Sequence, residues 1–191
     1  MKKVEIIGAL LGDVALPLVG FLFWDWGFYF IVLFFLFDIV FRSFFIGKRI
    51  TLLPSMDIGG AFVVKSIALV IIEVFLLHVL IYFSLSPFDF FTELWGFLSY
   101  RELGIAQGLV LLPLLVLNEV LRIRNEKKLN TSQNLRFELL KNNQYAQFFR
   151  ILLWLLFIAF SLLFSFQENL LVSLFILTLC IQPFWIYRNI Q

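Results

Sequence analysis

The chain has very few of the residues that usually bind metals or cofactors. Its 191 residues include one cysteine, Cys180, and one histidine, His78. A zinc site takes three or four His, Cys or carboxylate ligands, and haem or iron–sulfur centres also rely on His and Cys. The sequence therefore predicts no metal and no cofactor, and Cys180, inside an apolar run, is expected to be an inert packing residue.

The sequence also contains no recognisable catalytic constellation. A Ser-His protease within a membrane needs a serine in a Gly-flanked turn facing a histidine on another helix, whereas Ser66 and Ser84 share one apolar segment with His78. No glycine-rich phosphate-binding loop is present. We therefore expect no catalytic residues, and the sequence favours a protein that is not an enzyme.

Charged residues are scarce, and this scarcity excludes an ordinary soluble domain. They make up 15% of the chain, against 62% hydrophobic residues, and the mean hydropathy is +0.97. Soluble domains average about 25% charged and 45–50% apolar residues. The 26 phenylalanines and five tryptophans exceed what one small core could cover, whereas lipid accepts them on every side of a helix. Without a folded basic domain, nucleic acid is not an expected partner.

Six apolar stretches are long enough to cross the ~30 Å hydrocarbon layer as helices of about 20 residues. The chain is thus expected to be an all-α integral membrane protein, with one polytopic domain over residues 1–191 in the lipid bilayer. The first stretch begins after Lys2 and Lys3, but Gly12 and Asp13 interrupt it and no small-residue cleavage site follows, so we interpret it as a retained span. The predicted spans are 4–23, 26–46, 61–83, 103–121, 148–166 and 170–187.

The basic residues predict the orientation of these spans. With the N-terminus inside, Arg101 is the one basic residue of 15 that falls outside. Such an imbalance is typical of the positive-inside rule and favours an even number of spans, with both termini cytoplasmic and the chain integral to the cell (inner) membrane. The cytoplasmic set comprises Lys2, Lys3, Arg42, Lys48, Arg49, Lys65, Arg122, Arg124, Lys127, Lys128, Arg136, Lys141, Arg150 and Arg188.

Two connections are longer than a turn. The outer one, residues 86–101, is rich in aromatic residues and is expected to lie flat at the headgroup level, although a half-inserted lid would have the same pattern. The inner one, a basic cytoplasmic loop over residues 122–147, mixes charges with apolar residues and is expected to form a short interfacial helix. Basic residues over 122–150 would bind anionic lipid or a membrane or cytoplasmic protein partner.

The first and fourth spans share a pattern of two glycines and a proline with identical spacing. Three spans separate the copies, so they would run in opposite directions, as in two three-helix halves of inverted topology. Interrupted helices at matching places in two halves point to a transport site. Close helix packing explains the same residues without a repeat and is the favoured interpretation. The residues are Gly8, Gly12, Pro17, Gly104, Gly108 and Pro113.

Two sets of ionisable residues fall within these spans, where each charge costs about 2.5–3.5 kcal/mol near the centre. Asp38 and Arg42 are four residues apart and can neutralise each other on one helix face. Glu119 can pair with Arg122 near the inner end. We interpret these four residues as structural pairs.

Asp13 and Glu73 form the second set, because each lies near mid-membrane without a basic residue nearby on its own helix. Lys65 could reach one of them by extending inward, which leaves at least one acid unpaired. An unpaired carboxyl could act as a proton relay that His78 extends outward. A satisfied polar cluster that fixes helix packing is an equally good interpretation. The candidate substrate or ion pathway is Asp13, Glu73, His78 and Lys65.

Three functions are compatible with these observations. The first is transport of a small solute, a proton or an ion through a helix bundle with a mid-membrane acidic cluster. The second is a non-catalytic accessory or scaffold subunit of a larger membrane complex. The third, a membrane-embedded lipid-modifying enzyme, depends only on the acid and histidine pair.

Overall fold

The computed structural model describes residues 17–24, 26–50, 60–85, 88–99, 107–128, 133–163 and 170–179. These ranges contain eight α-helices, joined by turns and irregular segments. The prediction of an all-helical protein is confirmed for this part of the chain. In chain order the helices are α1 (17–23), α2 (Phe28–Phe44), α3 (Ile46–Ile50), α4 (Gly60–Ser84), α5 (Phe90–Ser99), α6 (Gln107–Lys128), α7 (Gln133–Leu163) and α8 (Leu170–Leu179).

Each of the six apolar stretches contains at least part of one helix, namely α1, α2, α4, α6, α7 and α8. Two segments, Gly60–Ser84 in α4 and Leu140–Leu163 in α7, are long and apolar enough to cross a membrane. Their length and composition support membrane association. The count of six spans and the orientation remain predictions.

Helix α2 lies at the centre of the fold. Nine of its residues are buried, and they cover every side of the helix. Ile31 and Val32 are fully inaccessible, while Phe28 and Phe35 contact Phe175 of α8 edge-on. A helix that is apolar all round is stable only when apolar neighbours or lipid surround it. The sequence of α2 therefore requires α4, α5, α6 and α8 to pack around it.

Helices α4 and α7 form the most extensive contact between helices and run parallel to each other. Phe62 near the start of α4 contacts Phe137 near the start of α7, and Glu73, further along, bonds to Arg150. Helix α2 runs the opposite way, since Tyr29 near its start contacts His78 near the end of α4. The candidate functional site lies where α2, α4 and α7 meet.

Helix α5 occupies the aromatic segment predicted to lie at the outer surface, and Asp89 caps its N-terminus. The two carboxylate oxygens of Asp89 accept hydrogen bonds from the Thr92 hydroxyl at 2.7 Å and from the backbone N–H groups of Phe91 and Thr92 at 3.0 and 3.3 Å. These bonds, the one from the Thr92 hydroxyl foremost, hold the pKa of Asp89 below its ordinary value. The cap is therefore present at neutral pH and is lost only as acidification protonates this carboxylate.

The connection predicted over residues 122–147 differs from its sequence-based description. Helix α6 continues to Lys128 and α7 already begins at Gln133, so most of this segment extends two long helices and the predicted short interfacial helix was wrong. The buried face of α7 explains the difference, because it recurs at helical spacing through Leu140, Ile151 and Trp154 and includes Arg150. Polar residues on this face are buried against α4, whereas the sequence suggests a solvated loop.

The contact between Gly20 and Trp26 gives a prediction about the fold. The Trp26 ring covers Gly20 so closely that a Cβ there would overlap the indole, whereas a Cβ at Gly47 would meet nothing within 4 Å. Gly20→Ala should therefore lower stability by about 1–3 kcal/mol, the usual cost of overpacking. Thermal denaturation in detergent would measure the loss. Gly47→Ala is the control and should leave stability equal or higher, because alanine favours a helix; equal melting of both variants would contradict this packing.

Candidate functional site

The carboxylate of Glu73 on α4 is fully buried and is bound by three side chains of α7. Arg150 donates from Nε to Oε1 at 2.7 Å and from Nη2 to Oε2 at 3.0 Å, a bidentate pair. Gln147 donates to Oε2 at 3.0 Å and Trp154 donates from Nε1 to Oε1 at 3.2 Å. Four donors thus converge on one carboxylate, which is the coordination that a buried anion requires.

Arg150 is nearly as buried as its partner and also contacts α2. Its side chain is 4% exposed, and its guanidinium carbon lies 5.3 Å from the centre of the Phe35 ring. Trp154 stacks on Phe175 of α8 with ring centres 5.2 Å apart. The ion pair therefore joins four helices, α2, α4, α7 and α8, through one group of side chains. Removing either charge would leave the other one buried and unpaired.

A second polar contact lies on the same side of α4, nearer its start. The Gln144 amide nitrogen donates to the Ser66 hydroxyl and, at 3.1 Å, to the Phe62 carbonyl. Ser66 in turn donates to the same carbonyl at 2.9 Å. We call the two contacts together, from Phe62 and Gln144 to Glu73 and Trp154, the polar strip. Over α4 it covers about 16 Å at 1.5 Å per residue, roughly half of the ~30 Å hydrocarbon layer.

A small cavity opens beside this strip, between α2, α3, α4 and α7. Its volume is about 70 Å³. Among the described residues, the charged ones in its lining are arginines, one each from α2, α3 and α7: Arg42, Arg49 and Arg150. Ser66, Gln144 and Gln147 of the polar strip also line it. The cavity is therefore rich in hydrogen-bond donors and positively charged on its inner surface.

The carboxylate partners of these arginines lie outside the cavity lining. Arg42 contacts Asp38 at 2.6 Å, four residues away on α2, with 17% and 14% of the two side chains exposed. Arg49 of α3 contacts Glu119 of α6 at 2.5 Å, and both are buried. The structure thus brings Asp38 and Arg42 together. Glu119 faces Arg49, whereas the sequence suggested Arg122, whose side chain lies outside the described part of the chain.

The structure gives Glu73 a basic partner from another helix. That partner is Arg150, whereas Lys65, the one basic residue considered for this role from the sequence, is exposed on another side of α4. The sequence predicts Arg150 at the cytoplasmic end of the fifth span, which begins at residue 148. The segment of α7 that is long enough to cross a membrane covers Leu140–Leu163, and Arg150 is its eleventh residue. Glu73 is therefore paired, which agrees with the alternative of a satisfied polar cluster, while Asp13 lies outside the described residues.

His78 and Glu73 are not brought together. The His78 ring donates a hydrogen bond from Nδ1 to the Val74 carbonyl at 2.8 Å, and it contacts the rings of Tyr29 and Phe90. Glu73 faces α7, whereas His78 faces the junction of α2 and α5. The two groups thus belong to different surroundings, and a relay between them has no direct contact to use.

The residues of the possible repeat fall only partly within the described chain. Pro17 is buried at the start of the described part of α1, and Pro113 is exposed inside α6, which also includes Gly108. The remaining candidates, Gly8, Gly12, Gly104 and the acid Asp13, lie outside the described residues.

Sequence reasoning missed the α7 half of the site. Gln144, Gln147, Arg150 and Trp154 are spaced by three, three and four residues, which places them along one side of a helix. The sequence shows this spacing. The segment is also rich in basic and polar residues, which are typical of a solvated loop, and this composition hides the shared helical side.

Comparisons of the chain with protein-family models, with curated protein sequences and with solved structures give no match. Function is therefore inferred from the geometry of the buried pairs and the cavity.

The Glu73–Arg150 pair gives a prediction about stability. Glu73→Gln or Arg150→Gln alone should each lower the free energy of unfolding by about 3–5 kcal/mol, because one charge stays buried without its partner. The double substitution should cost clearly less than the sum, since both charges are removed together. A double-mutant cycle by thermal or denaturant unfolding in detergent would measure the coupling. Additive losses would contradict the pairing, and Asp38→Asn, at the more exposed pair, should cost less than either single variant.

Proposed function

We propose that the chain is a six-span protein of the cell (inner) membrane with both termini in the cytoplasm. The large apolar side chains that stay exposed on the two long helices support this proposal. On α4 they include Val64, Ile71 and Phe75, each more than 60% exposed. Exposed apolar surface on this scale needs lipid or a partner to cover it. Each of the six predicted spans also coincides with part of a helix.

The directions of the helices are compatible with the same topology. Helices α4 and α7 are the third and fifth predicted spans, which must run the same way through a bilayer. The contacts between α4 and α7 are parallel, as this condition requires. Helix α2 is the second predicted span and must run the opposite way, and its contact with α4 is antiparallel.

Cysteine-accessibility labelling tests this topology. In a Cys180→Ser background, a cysteine introduced by Asp25→Cys should react with an impermeant reagent from outside the cell, and one introduced by Lys128→Cys should react only after the membrane is opened. Labelling of both positions from the same side would contradict the six-span proposal. Activity is not needed for this measurement.

We further propose that the bundle transports a small charged solute across the membrane. The observation that carries this proposal is the polar strip with its adjoining cavity, inside helices that are otherwise apolar. Ionisable groups at membrane depth are costly, face the bundle interior and commonly line solute or ion pathways. The cavity would receive the solute, and the buried Glu73–Arg150 pair would lie at its deep end. Opening and closing of that pair would then control passage.

Flux through proteoliposomes tests the transport proposal. The variant that carries both Glu73→Gln and Arg150→Gln keeps a neutral, hydrogen-bonding interior and should fold, yet its flux should fall to that of protein-free liposomes. Proton flux would be followed with an enclosed pH-sensitive dye, and solute release with a set of inorganic and carboxylate salts. Lys65→Gln is the matched control, because Lys65 is exposed on α4 away from the strip, and it should leave flux unchanged. An undiminished rate in the double variant would overturn the proposed role.

A non-catalytic subunit of a larger membrane complex is the second candidate. It is favoured by the four hydrogen bonds to Glu73, which would also suit a purely structural lock between α4 and α7. Under this alternative, the purified protein moves no solute, and a stoichiometric partner copurifies in mild detergent. Replacing Lys127, Lys128 and Arg136 by alanine would then release that partner.

A further inference from the structure

We infer that the cavity between α2, α3, α4 and α7 binds a tetrahedral oxyanion of the phosphate type. Arg42, Arg49 and Arg150 would hold its charge, and the amides of Gln144 and Gln147 would donate further hydrogen bonds. This inference also identifies the class of solute that the proposed transporter carries, and only that part of it rests on the proposed function. The binding site itself is inferred from the residues that line the cavity.

The charges around the cavity are arranged asymmetrically. Among the described residues, three guanidiniums line it, while the carboxylates that they contact there, Asp38, Glu73 and Glu119, do not. Each of these ion pairs therefore presents its positive end to the cavity. A guanidinium carries five N–H donors and no acceptor, so the arginines bring donors and no acceptor to the lining. An anion in the cavity would meet donors from several directions, and a cation would meet three like charges.

The burial of these groups strengthens the expected attraction. Arg49 and Arg150 are 7% and 4% exposed, and a charge in such surroundings is screened far less by water and salt than a surface charge. Arginine is also suited to phosphate, because its planar fork matches two oxygens at once. Arg49 and Arg150 are therefore buried charges on two different helices, and Arg42 adds a third that is 17% exposed. Together they form a binding site inside the bundle, unlike a solvated basic surface.

The size and position of the cavity restrict the ligand. About 70 Å³ is far below the roughly 300–1,000 Å³ of pockets that enclose drug-sized molecules, so the cavity can enclose one phosphate or sulfate group and no larger part of a ligand. In the proposed topology the cavity lies at the cytoplasmic ends of α2 and α4, the level at which phospholipid headgroups also lie. The phosphate could thus come from a free ion or from a lipid headgroup, and the chemistry of recognition is the same.

Binding to purified, delipidated protein in neutral detergent tests the inference. Inorganic phosphate should raise the melting temperature and give a saturable calorimetric signal, and chloride at equal ionic strength should not. The paired variant Arg49→Gln with Glu119→Gln removes one guanidinium together with its carboxylate, so no buried charge is left alone. It should weaken phosphate binding about tenfold or more, the effect of losing one charge-assisted hydrogen bond. Arg42→Gln with Asp38→Asn should act in the same direction.

Lys141→Gln is the matched control. Lys141 is an exposed basic residue of α7 that contacts the Phe137 ring and does not line the cavity. Its replacement removes one positive charge without touching the cavity lining, and it should leave phosphate binding unchanged. An equal loss in this variant and in the paired variants would show nonspecific attraction and would overturn the site, as would unchanged binding in both paired variants.

A second arm identifies the source of the phosphate. Nanodiscs of phosphatidylglycerol and of phosphatidylcholine would be compared, with inorganic phosphate as competitor. Phosphate binding that phosphatidylglycerol does not reduce supports a free oxyanion, and mutual competition supports a lipid headgroup. No binding of phosphate and no preference for phosphatidylglycerol would overturn the inference.

Binding and flux measured on the same purified protein distinguish this inference from the transport proposal. Phosphate that binds without crossing proteoliposomes leaves the site intact and contradicts transport of that ion. Flux of another solute with no phosphate binding leaves transport intact and contradicts the oxyanion site.

Discussion

The buried ion pair between Glu73 and Arg150 is the interaction on which the rest of the bundle depends. A carboxylate and a guanidinium without access to water are tolerated only when each finds the other and the remaining hydrogen bonds are made. Gln147 and Trp154 complete that requirement from the same helix. Because all these donors come from α7, the pair fixes both the distance and the relative rotation of α4 and α7, and Phe35 and Phe175 then pack around it.

The same constraint shapes the cavity beside the pair. Arg150 must face Glu73, and its neighbours along α7, Gln144 and Gln147, consequently face α4 as well. Arg42 and Arg49 enter from α2 and α3, each held by its own carboxylate. Three paired arginines thus meet around one small polar volume inside an apolar bundle. Each arginine is neutralised by its carboxylate partner, yet the positive ends face the cavity. This arrangement is suited to recognising an anion, and the ion pairs persist when the cavity holds no anion.

Much of the fold and part of the site follow from the sequence. Length, apolarity and turn residues located the helices, since 20 apolar residues without charge have few other stable states in lipid. Asp38 and Arg42 are close because four residues on a helix always are. Glu73 was recognisable as a candidate from its apolar surroundings. The α7 side of the site is harder to recognise, because Gln144, Gln147 and Arg150 are polar and their segment resembles a solvated loop in the sequence.

By itself the sequence determined an all-helical, strongly apolar chain with a few costly charges inside its helices. Local spacing and composition are sufficient for this, because hydrogen bonds and side-chain neighbours within a helix are set by the chain itself. Only the tertiary structure decided that Glu73 meets Arg150 and not Lys65, and that Glu119 meets Arg49. Those partners are about 70 residues or more apart in the chain, so their contact depends on which sides of the helices pack together, and no local pattern specifies that.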